Sequence, residues 1–418
     1  MSVVPAPSVE RISSQGFERF DLLAWRPLPQ YGSALLGEMI LGAVNLPDDT
    51  VHDDGAILGD MHLNTAILGK EPQFNAWQSI IAPATRIAFH RGVEANIFSV
   101  IGTVGTLSAE IYNDLDPRSS YLYRGTPIAL IDRYANRILF QGTIATSKVE
   151  PSKDQTYRVS FEAVDIISTL ADIHKYQETA DYPRNWYDVV DVLLREFTYE
   201  IPVRTYAPKI GNIVKESNLA QYLDLIANTA GIYWHITRTN TLRFITTLPS
   251  RLSAAFIADD EQDTSLPKLY LTDIQAVFDT SNLTSVVRLE NSQSAKNTEG
   301  EWESTTNSFE VRNEQKILQY GVNVLSLETV GADVDAIKLR IQHALSAQRP
   351  NQIVSKAGID THIDIDGYEQ TITTALSLDL FDRVKTSFRN SIEEAHITAI
   401  DVEITPKTFH ITYDLRQA

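Results

Sequence analysis

The sequence predicts a mainly β fold of the α+β class. We expect two small antiparallel β-barrel domains of similar fold, which flank and interleave with α+β domains. We expect the chain to assemble as a ring. Three observations support this class. Short runs of alternating apolar and polar residues are separated by tight turns, as in small barrels. Two segments between them have helical periodicity. A strand pattern near residue 160 recurs near the end of the 418-residue chain.

The composition limits the possible functions. With 54 acidic and 36 basic residues the formal net charge is −18, which argues against a broad nucleic-acid-binding surface. It is compatible with a passage to which DNA does not adhere. The absence of cysteine excludes disulfides, a thiol nucleophile and zinc–thiolate sites. The first 20 residues lack a signal-peptide pattern, and the apolar segment 33–44 is too short to span a bilayer.

The N-terminal part divides into an arm and a first barrel. Residues 1–75 lack sustained periodicity and are rich in Pro, Asp and Gly, so they predict an extended N-terminal arm with one short helix. Residues 76–175 predict the first β-barrel domain. Its inward-facing residues are Leu107, Ala109 and Ile111 of segment 105–114, and Tyr157, Val159, Phe161 and Ala163 of segment 156–163. A hairpin lies between these strands at 122–144, and a short helix at 164–173 closes the domain.

Residues 176–260 predict an α+β insertion domain. The segment 185–197 has an apolar stripe at helical spacing, with Pro183 and Asn185 as start signals. The segment 217–231 predicts a second helix that Ser217 caps and Gly231 ends. A hairpin at 232–245 follows directly.

Residues 261–350 predict strands plus a helix that link to the second barrel, and residues 351–418 predict the C-terminal part of that barrel. The polar segment 291–308 is interpreted as a mobile loop. Residues 333–350 predict a helix with Val334, Ile337, Ile341 and Leu345 on one face. Strands are predicted at 268–290, 382–388, 396–404 and 408–415.

The two ends of the chain contain a repeat. "TYRVSFEA" (156–163) and "TFHITYDL" (408–415) match in kind at every position, with an offset of 252 residues. Each follows a strand and a Pro-Lys turn, and an Asp-Arg pair lies further upstream (Asp132-Arg133 and Asp382-Arg383). Part of this match is expected for any two amphipathic strands. A duplicated barrel has a geometric use, because three copies around an axis present six equivalent barrels and join a three-fold partner to a six-fold one.

The order of these segments resembles the central tail hub, or baseplate hub, proteins of tailed bacteriophages, which belong to the minor tail proteins. "GTLSAEIYNDLDP" and "RGTPIALIDRYANRILFQGTI" are similar to the first hub barrel, and "LFDRVKTSF…HITAIDVEITPKTFHITYDL" to the second. The resemblance covers about residues 76–418 and depends on several weak motifs in sequence.

The resemblance implies a homotrimeric virion protein at the distal end of the tail, assembled in the host cytoplasm. Its implied partners are the distal tail or tail tube protein, the tape measure protein, and tail tip, fibre or receptor-binding proteins. DNA would contact it only in transit, and no stable membrane insertion is expected. No cofactor, metal or catalytic residue is predicted.

Two carboxylate-rich segments are candidate metal sites. His52, Asp53, Asp54, Asp60 and His62 are close in sequence, but such loops are more often only solvated. His362, Asp364 and Asp366 alternate at the spacing of one strand face, which is typical of an exposed hairpin. Nucleotide-binding and α/β-hydrolase motifs are absent.

Two alternatives to a tail hub remain open. One is a cell-wall polysaccharide-directed tail protein, either a hydrolase or a glycan-binding module. No carboxylate pair stands out for it, and aromatic residues such as Trp186 and Phe161 fit core packing better. The other is the related spike-like component of a contractile injection machine.

Overall fold

The computed structural model describes residues 19–27, 75–81, 84–96, 98–113, 122–151, 157–175, 184–204, 208–211, 217–258, 265–279, 283–348, 351–363, 368–389 and 391–417. The elements up to residue 175 are β1 (Phe20–Pro27), β2 (Asn75–Ser79), β3 (Ala84–Ala95), β4 (Val100–Gly102), β5 (Thr106–Asn113), β6 (Pro127–Asp132), β7 (Arg137–Pro151), β8 (Tyr157–Val164), α1 (Ile166–Asp172) and β9 (His174–Lys175).

The middle of the chain forms α2 (Trp186–Leu193), β10 (Tyr199–Glu200), β11 (Ser217–Asn218), α3 (Leu219–Ala230), β12 (Tyr233–Ile236), β13 (Leu242–Ile245), β14 (Leu252–Ile257), β15 (Lys268–Tyr270), β16 (Asp273–Asp279), β17 (Val286–Lys296), β18 (Trp302–Arg312), α4 (Glu314–Tyr320), β19 (Val324–Thr329) and α5 (Val334–Ala347). The C-terminal elements are β20 (Asn351–His362), α6 (Glu369–Ser377), β21 (Arg383–Phe388), β22 (Ser391–Ile404) and β23 (Thr408–Gln417). No helix of the described segments combines the length and apolar composition needed to cross a membrane.

Seven strands form what we call the first repeat, in the spatial order β2-β1-β6-β7-β8-β5-β3. All neighbouring pairs are antiparallel. The predicted inward faces are confirmed for β5, where Leu107, Ala109 and Ile111 are buried. In β8 the predicted Val159, Phe161 and Ala163 are buried, whereas Tyr157 is only half-buried. Alternation with period two therefore determines which face of each strand joins the core.

The second repeat has the spatial order β15-β14-β21-β22-β23-β20-β16. Its five strands β21-β22-β23-β20-β16 are antiparallel neighbours, as β6-β7-β8-β5-β3 are in the first repeat. The outer strands differ, because β14 pairs in parallel with β21 and β15. The two repeats thus share their strand order, and the inner five strands also share their directions.

Residue positions agree between the repeats. Phe161 of β8 lies opposite Ala109, and Tyr413 of β23 lies opposite Ala357. A β-bulge occurs in β7 after Ile144 and another in β22 after Ile397, at equivalent points of the two hairpins. The predicted match of 156–163 with 408–415 is therefore seen in three dimensions.

One part of the predicted repeat alignment is wrong. Asp132 is the last residue of β6, whereas Asp382 immediately precedes β21. Since β6 and β21 are the equivalent strands, the two Asp-Arg pairs lie at opposite strand ends. A dipeptide of two common residues is too short to establish register.

The described residues form two repeats of one continuous sheet, and no closed barrel is found among them. Within the described residues β3 pairs with β5 and β22, and it does not pair with β2 to close the first repeat. In the second repeat, the described pairing of β15 is with β14 and that of β16 is with β20. The edge of β3 that would close a barrel is used instead by β22 of the other repeat. We call this β3–β22 pairing the internal joint.

A single apolar core lies beneath both repeats. It includes Phe20 of β1 and Phe409 of β23, whose rings stack with centroids 6.3 Å apart. Burial of large aromatic side chains of this kind stabilises the contact between the repeats. Residues 20–27 therefore belong to the first repeat, and the prediction of an N-terminal arm does not hold for them. The rest of residues 1–74, apart from Arg19, lies outside the described residues.

The predicted α+β segment packs α1, α2 and α3 on the small strands β10, β12 and β13. Helix α2 ends at Leu193 and not at 197, because the chain must leave the helix for β10 to pair with β13. In α3 the N-cap is Asn218, which forms a capping box with Gln221, and not Ser217. Gly231 ends α3 with φ +62°, as predicted.

The segment 291–308, predicted as a mobile loop, forms a long β-hairpin. Strands β17 and β18 pair over 11 residues each. Ser292 and Thr306, and Ser294 and Ser304, are hydrogen-bonded across the hairpin at 3.0 and 2.7 Å. The hairpin is polar, so its composition resembled that of a loop. Its apolar base packs on α5 through Ile337, Ile341 and Leu345, three residues of the predicted helix face.

Two helices and one boundary differ from the sequence-based prediction. Helices α4 and α6 were not predicted. Strand β14 belongs to the second repeat, although it precedes the predicted boundary at 260/261. The second repeat therefore collects strands from both sides of the hairpin unit 283–348.

Candidate functional site on the polar face of the sheet

Eight adjacent strands, β7-β8-β5-β3-β22-β23-β20-β16, present one continuous polar surface, which we call the polar face. Alternation places apolar residues of these strands in the core and polar residues on the opposite side. The charged members are Lys148, Glu150, Arg158, Glu162, Glu110, Arg86, Asp401, Glu403, Asp414, Lys356, Asp360 and Asp273. Eight are acidic and four are basic, so with neutral histidines this face carries a net charge of −4.

Two side-chain pairs cross the internal joint on this face. The guanidinium of Arg86 donates to both carboxylate oxygens of Glu403, at 2.8 and 3.0 Å. His90 Nδ1 lies 2.7 Å from Asp401 Oδ1. These pairs connect residues more than 300 positions apart in sequence, and they reinforce the backbone pairing of β3 with β22.

The electrostatics of the joint favour the charged forms of its members. The hydrogen bond to Asp401 raises the pKa of His90 above its usual value, and this effect outweighs the opposite effect of burial. The hydrogen bond from Arg86 lowers the pKa of Glu403. All four side chains are about 40–50% exposed, so solvent screens these pairs and each contributes little stability.

The remaining strands carry similar cross-strand pairs. Arg158 pairs with Glu110 at 2.7 Å, and Lys356 pairs with Asp414 at 3.1 Å. Two depressions among the described residues, of about 430 and 230 Å³, lie on this face. The first is lined by Arg86, Glu110 and Glu162, among others. The face is therefore hydrated and polar rather than a pocket for an apolar ligand.

Three side chains on the polar face, Asp360, His410 and Thr412, are connected in the order of the acid, histidine and hydroxyl of a hydrolase triad. Thr412 Oγ1 lies 2.9 Å from His410 Nε2, and His410 Nδ1 lies 3.0 Å from Asp360 Oδ1. Thr412 is flanked on both sides by paired strands, opposite Asp401 and Gly358. Its backbone amide is thus engaged in the sheet and cannot form an oxyanion hole with a neighbour. We read these three side chains as a cross-strand polar network.

Of the two candidate metal sites, the structure describes only His362. His52, Asp53, Asp54, Asp60 and His62 lie outside the described residues, as do Asp364 and Asp366. His362 is the last residue of β20, opposite Thr408. Across the segments that the structure describes, no three His, Asp or Glu side chains are grouped as metal ligands. Trp186 and Phe161 are buried in the core, at 1% and 3% exposure, as predicted.

Sequence reasoning did not single out the residues of the internal joint. The alternation of segments 85–92 and 396–404 does indicate that His90, Asp401 and Glu403 lie on polar strand faces. It does not indicate that the two strands are neighbours. No local signal encodes a pairing between strands 300 residues apart.

The architecture is that of phage tail proteins of known structure. One is the tail protein from Neisseria meningitidis MC58, at a TM-score of 0.54 and 12% identity, with 81% of this chain and 93% of that chain covered. A second is the 43 kDa tail protein of prophage MuSo2 from Shewanella oneidensis, at a TM-score of 0.52 and 12% identity, with 81% and 95% covered. At this identity the similarity establishes the fold. No protein-family model and no curated protein sequence matches the chain.

Proposed function

We propose that the chain is a structural virion protein, a trimeric hub at the tip of a phage tail. It adapts the six-fold tail tube or distal tail protein to the three-fold tip, and its lumen lets the tape measure protein and DNA pass. The observation that carries this proposal is the internal repeat. One chain contains the same five-strand arrangement twice, in the fold of two phage tail proteins.

The repeat supports the adaptor role by symmetry. Two similar units in each chain present six similar units when three chains surround an axis. Such a ring has near six-fold symmetry where it meets the tube and three-fold symmetry elsewhere. A chain with one unit has no such use, so the duplication favours a connecting ring over an ordinary trimer.

The polar face supports the role of a passage. Its eight carboxylates and four cations give it net negative charge, and its shallow depressions lie on the same side. In a ring that turns this face inward, repulsion keeps the DNA phosphates from adhering during transit. Basic walls would retain DNA through counterion release.

The proposed partners follow from this position at the distal end of the tail. They are further copies of the chain, the distal tail or tail tube protein, the tape measure protein, and the tip, fibre or receptor-binding proteins. The chain acts through interface burial and symmetry, without enzymatic chemistry. No described feature favours the polysaccharide-directed alternative, and the purified chain is expected to leave peptidoglycan and polysaccharide intact in a degradation assay.

The proposal is tested by native mass spectrometry and negative-stain microscopy of the full chain. We expect a mass of three chains and ring-shaped particles with a central hole. A chain that stays monomeric at high concentration, and also after mild chemical crosslinking, would overturn the ring.

A further inference from the structure

We propose that strand β7 of one copy pairs antiparallel with strand β16 of a second copy, through residues 146–151 and 274–279. This inference rests on the proposed ring and names the surfaces that join its members. Its occupant is a second copy of this chain. The argument comes from the internal joint, where equivalent strands already pair within one molecule.

Each of these strands has one edge without a partner among the described residues. Strand β7 pairs with β6 through Arg137–Thr143 and with β8 through Thr143–Pro151. Ile144 bonds Gly125 and Thr126, but beyond it no described strand pairs with the β6 side of β7. Strand β16 pairs with β20 along Asp273–Asp279, and its other edge is likewise unpaired in the described segments. An unpaired edge presents backbone donors and acceptors to another strand.

The repeat makes these two edges the counterparts of the internal joint. Strand β7 corresponds to β22, because each is the middle strand of a three-stranded antiparallel unit, β6-β7-β8 in one case and β21-β22-β23 in the other. Both strands also have a bulge at the same point. Strand β16 corresponds to β3, because they pair with the equivalent strands β20 and β5. Within one chain β22 pairs with β3. The same pairing between chains joins β7 to β16.

The internal joint also predicts the register. It pairs Ala399 with Gly92 and Ile404 with Ile87. Thr146 is equivalent to Ala399 through the bulge, and Ile274 is equivalent to Ile87 through its pairing with Ala357. The intermolecular ladder therefore runs from Thr146 opposite Asp279 to Pro151 opposite Ile274. It places Lys148 opposite Val277 and Glu150 opposite Gln275.

The side chains on the core side suit this register. On the core side Val149 lies opposite Ala276, and Pro151 lies opposite Ile274. Val149 is 39% exposed in the single chain, so the pairing would cover an apolar side chain that is otherwise in water.

One pair makes the intermolecular joint weaker than the internal one. The salt bridge Arg86–Glu403 reinforces the internal joint. At the equivalent positions between chains stand Asp273 and Glu150, two like charges. Glu150 also pairs with Lys148 of its own chain. The joint between chains therefore lacks the salt bridge of the internal joint and is expected to be weaker.

Disulfide trapping tests the register, because the chain has no cysteine of its own. Directly opposed residues of an antiparallel pair have Cα atoms about 4.5–5.5 Å apart, within the range of a disulfide. The double variant Glu150→Cys/Gln275→Cys should therefore give a covalent trimer on a non-reducing gel. The internal control Ala88→Cys/Glu403→Cys, at the equivalent positions, should give an intramolecular disulfide and a monomer band.

A mismatched variant controls for chance collisions. Lys148→Cys/Asp273→Cys places the thiols four residues out of register, about 13 Å apart along the strands. It should form little covalent trimer. Equal trapping in the matched and mismatched variants would overturn the register.

The charge argument gives a gain-of-function test. Asp273→Arg recreates the Arg86–Glu403 arrangement between chains. It should lower the protein concentration at which half of the trimer dissociates, by roughly two- to five-fold for each joint. Asp335→Arg on α5, whose side chain is 94% exposed, makes the same charge change elsewhere and should have no such effect. A weaker trimer with Asp273→Arg would contradict the joint.

The two proposals fail differently. A wild-type trimer in native mass spectrometry without trapping of Glu150→Cys/Gln275→Cys would refute the β7–β16 joint and leave the ring intact. A persistent monomer, with the internal control oxidised as expected, would refute the ring itself.

Discussion

At the scale of single residues, the buried ion pair between Arg19 and Asp132 holds three elements together. The side chains are 3% and 0% exposed and lie 2.7 Å apart. The same guanidinium donates to the Glu369 carbonyl and to Thr373 Oγ1 of α6, at 3.1 and 3.0 Å. Arg19 precedes β1, and Asp132 ends β6. The pair therefore links the first repeat to a helix of the second.

Removal of Arg19 is expected to be costly. Arg19→Met leaves Asp132 buried without its cation and should lower the free energy of unfolding by about 3–5 kcal/mol. The matched control Arg86→Met breaks the half-exposed pair with Glu403 and should cost less than about 1 kcal/mol. Urea denaturation of both variants measures the difference. Equal losses would contradict the role assigned to burial.

The carboxyl group of Asp224 makes stability depend on pH. Burial raises its pKa to about 7, although it accepts a hydrogen bond from Trp234 Nε1 at 3.1 Å. The unfolded value is about 3.9. Between about pH 4 and pH 7 the folded state therefore binds more protons than the unfolded state, and stability from this group falls as pH rises.

Asp224→Asn keeps the acceptor for Trp234 and removes the titration. From pH 4 to pH 7.5 it should gain stability relative to wild type, on the order of a few kcal/mol. Denaturant midpoints measured across this range for both proteins test this. Parallel pH profiles for the variant and the wild type would show that Asp224 titrates normally.

At the scale of elements, Gly231 is the point where α3 ends and the chain turns into β12. It has φ +62°, and a Cβ there would lie 2.8 Å from Arg340 Nη2 and 3.0 Å from Phe98 Cζ. Gly231→Ala should therefore cost about 1–3 kcal/mol through backbone strain and crowding. Gly300→Ala in the β17–β18 turn, at φ +86° with open space, should cost about 1 kcal/mol from the backbone alone. Thermal melts of the two variants compare these costs, and equal shifts would rule out crowding.

Elements were predicted well where a local rule controls them. The alternation of β5 and β8 and the periodicity of α3 and α5 were sufficient, because burial of one face repeats at a fixed spacing. The β17–β18 hairpin was missed because its residues beyond the base are polar on both faces. The early end of α2 was missed because β10 must pair with β13. This strand pairing is a tertiary contact, and the helical periodicity of the segment does not indicate it.

At the scale of the whole molecule, the sign of charge on the polar face is proposed to keep DNA from adhering. The variant with Glu150, Glu162, Asp273 and Asp360 replaced by Lys changes this face from a net charge of −4 to +4. It should bind duplex DNA with an affinity that falls steeply with salt, whereas the wild type should not bind measurably at physiological salt.

A control separates the face from overall charge. Lys at Glu299, Glu301, Glu303 and Glu314, exposed residues of the hairpin unit, makes the same change in net charge elsewhere. Electrophoretic mobility shift at several salt concentrations compares the proteins. If the control binds DNA as well as the face variant does, the arrangement of charge on the polar face has no special role.

The sequence by itself determined the mainly β class, the inward faces of the strands, several of the helices, and the likeness of 156–163 to 408–415. Those features depend on spacing within one segment, which burial imposes locally. Only the tertiary structure decided that β3 pairs with β22, that β1 and β14 complete the two repeats, and that the polar residues of eight strands form one surface. Strand pairing is a contact between distant segments, and its partner is selected by the packing of the whole chain.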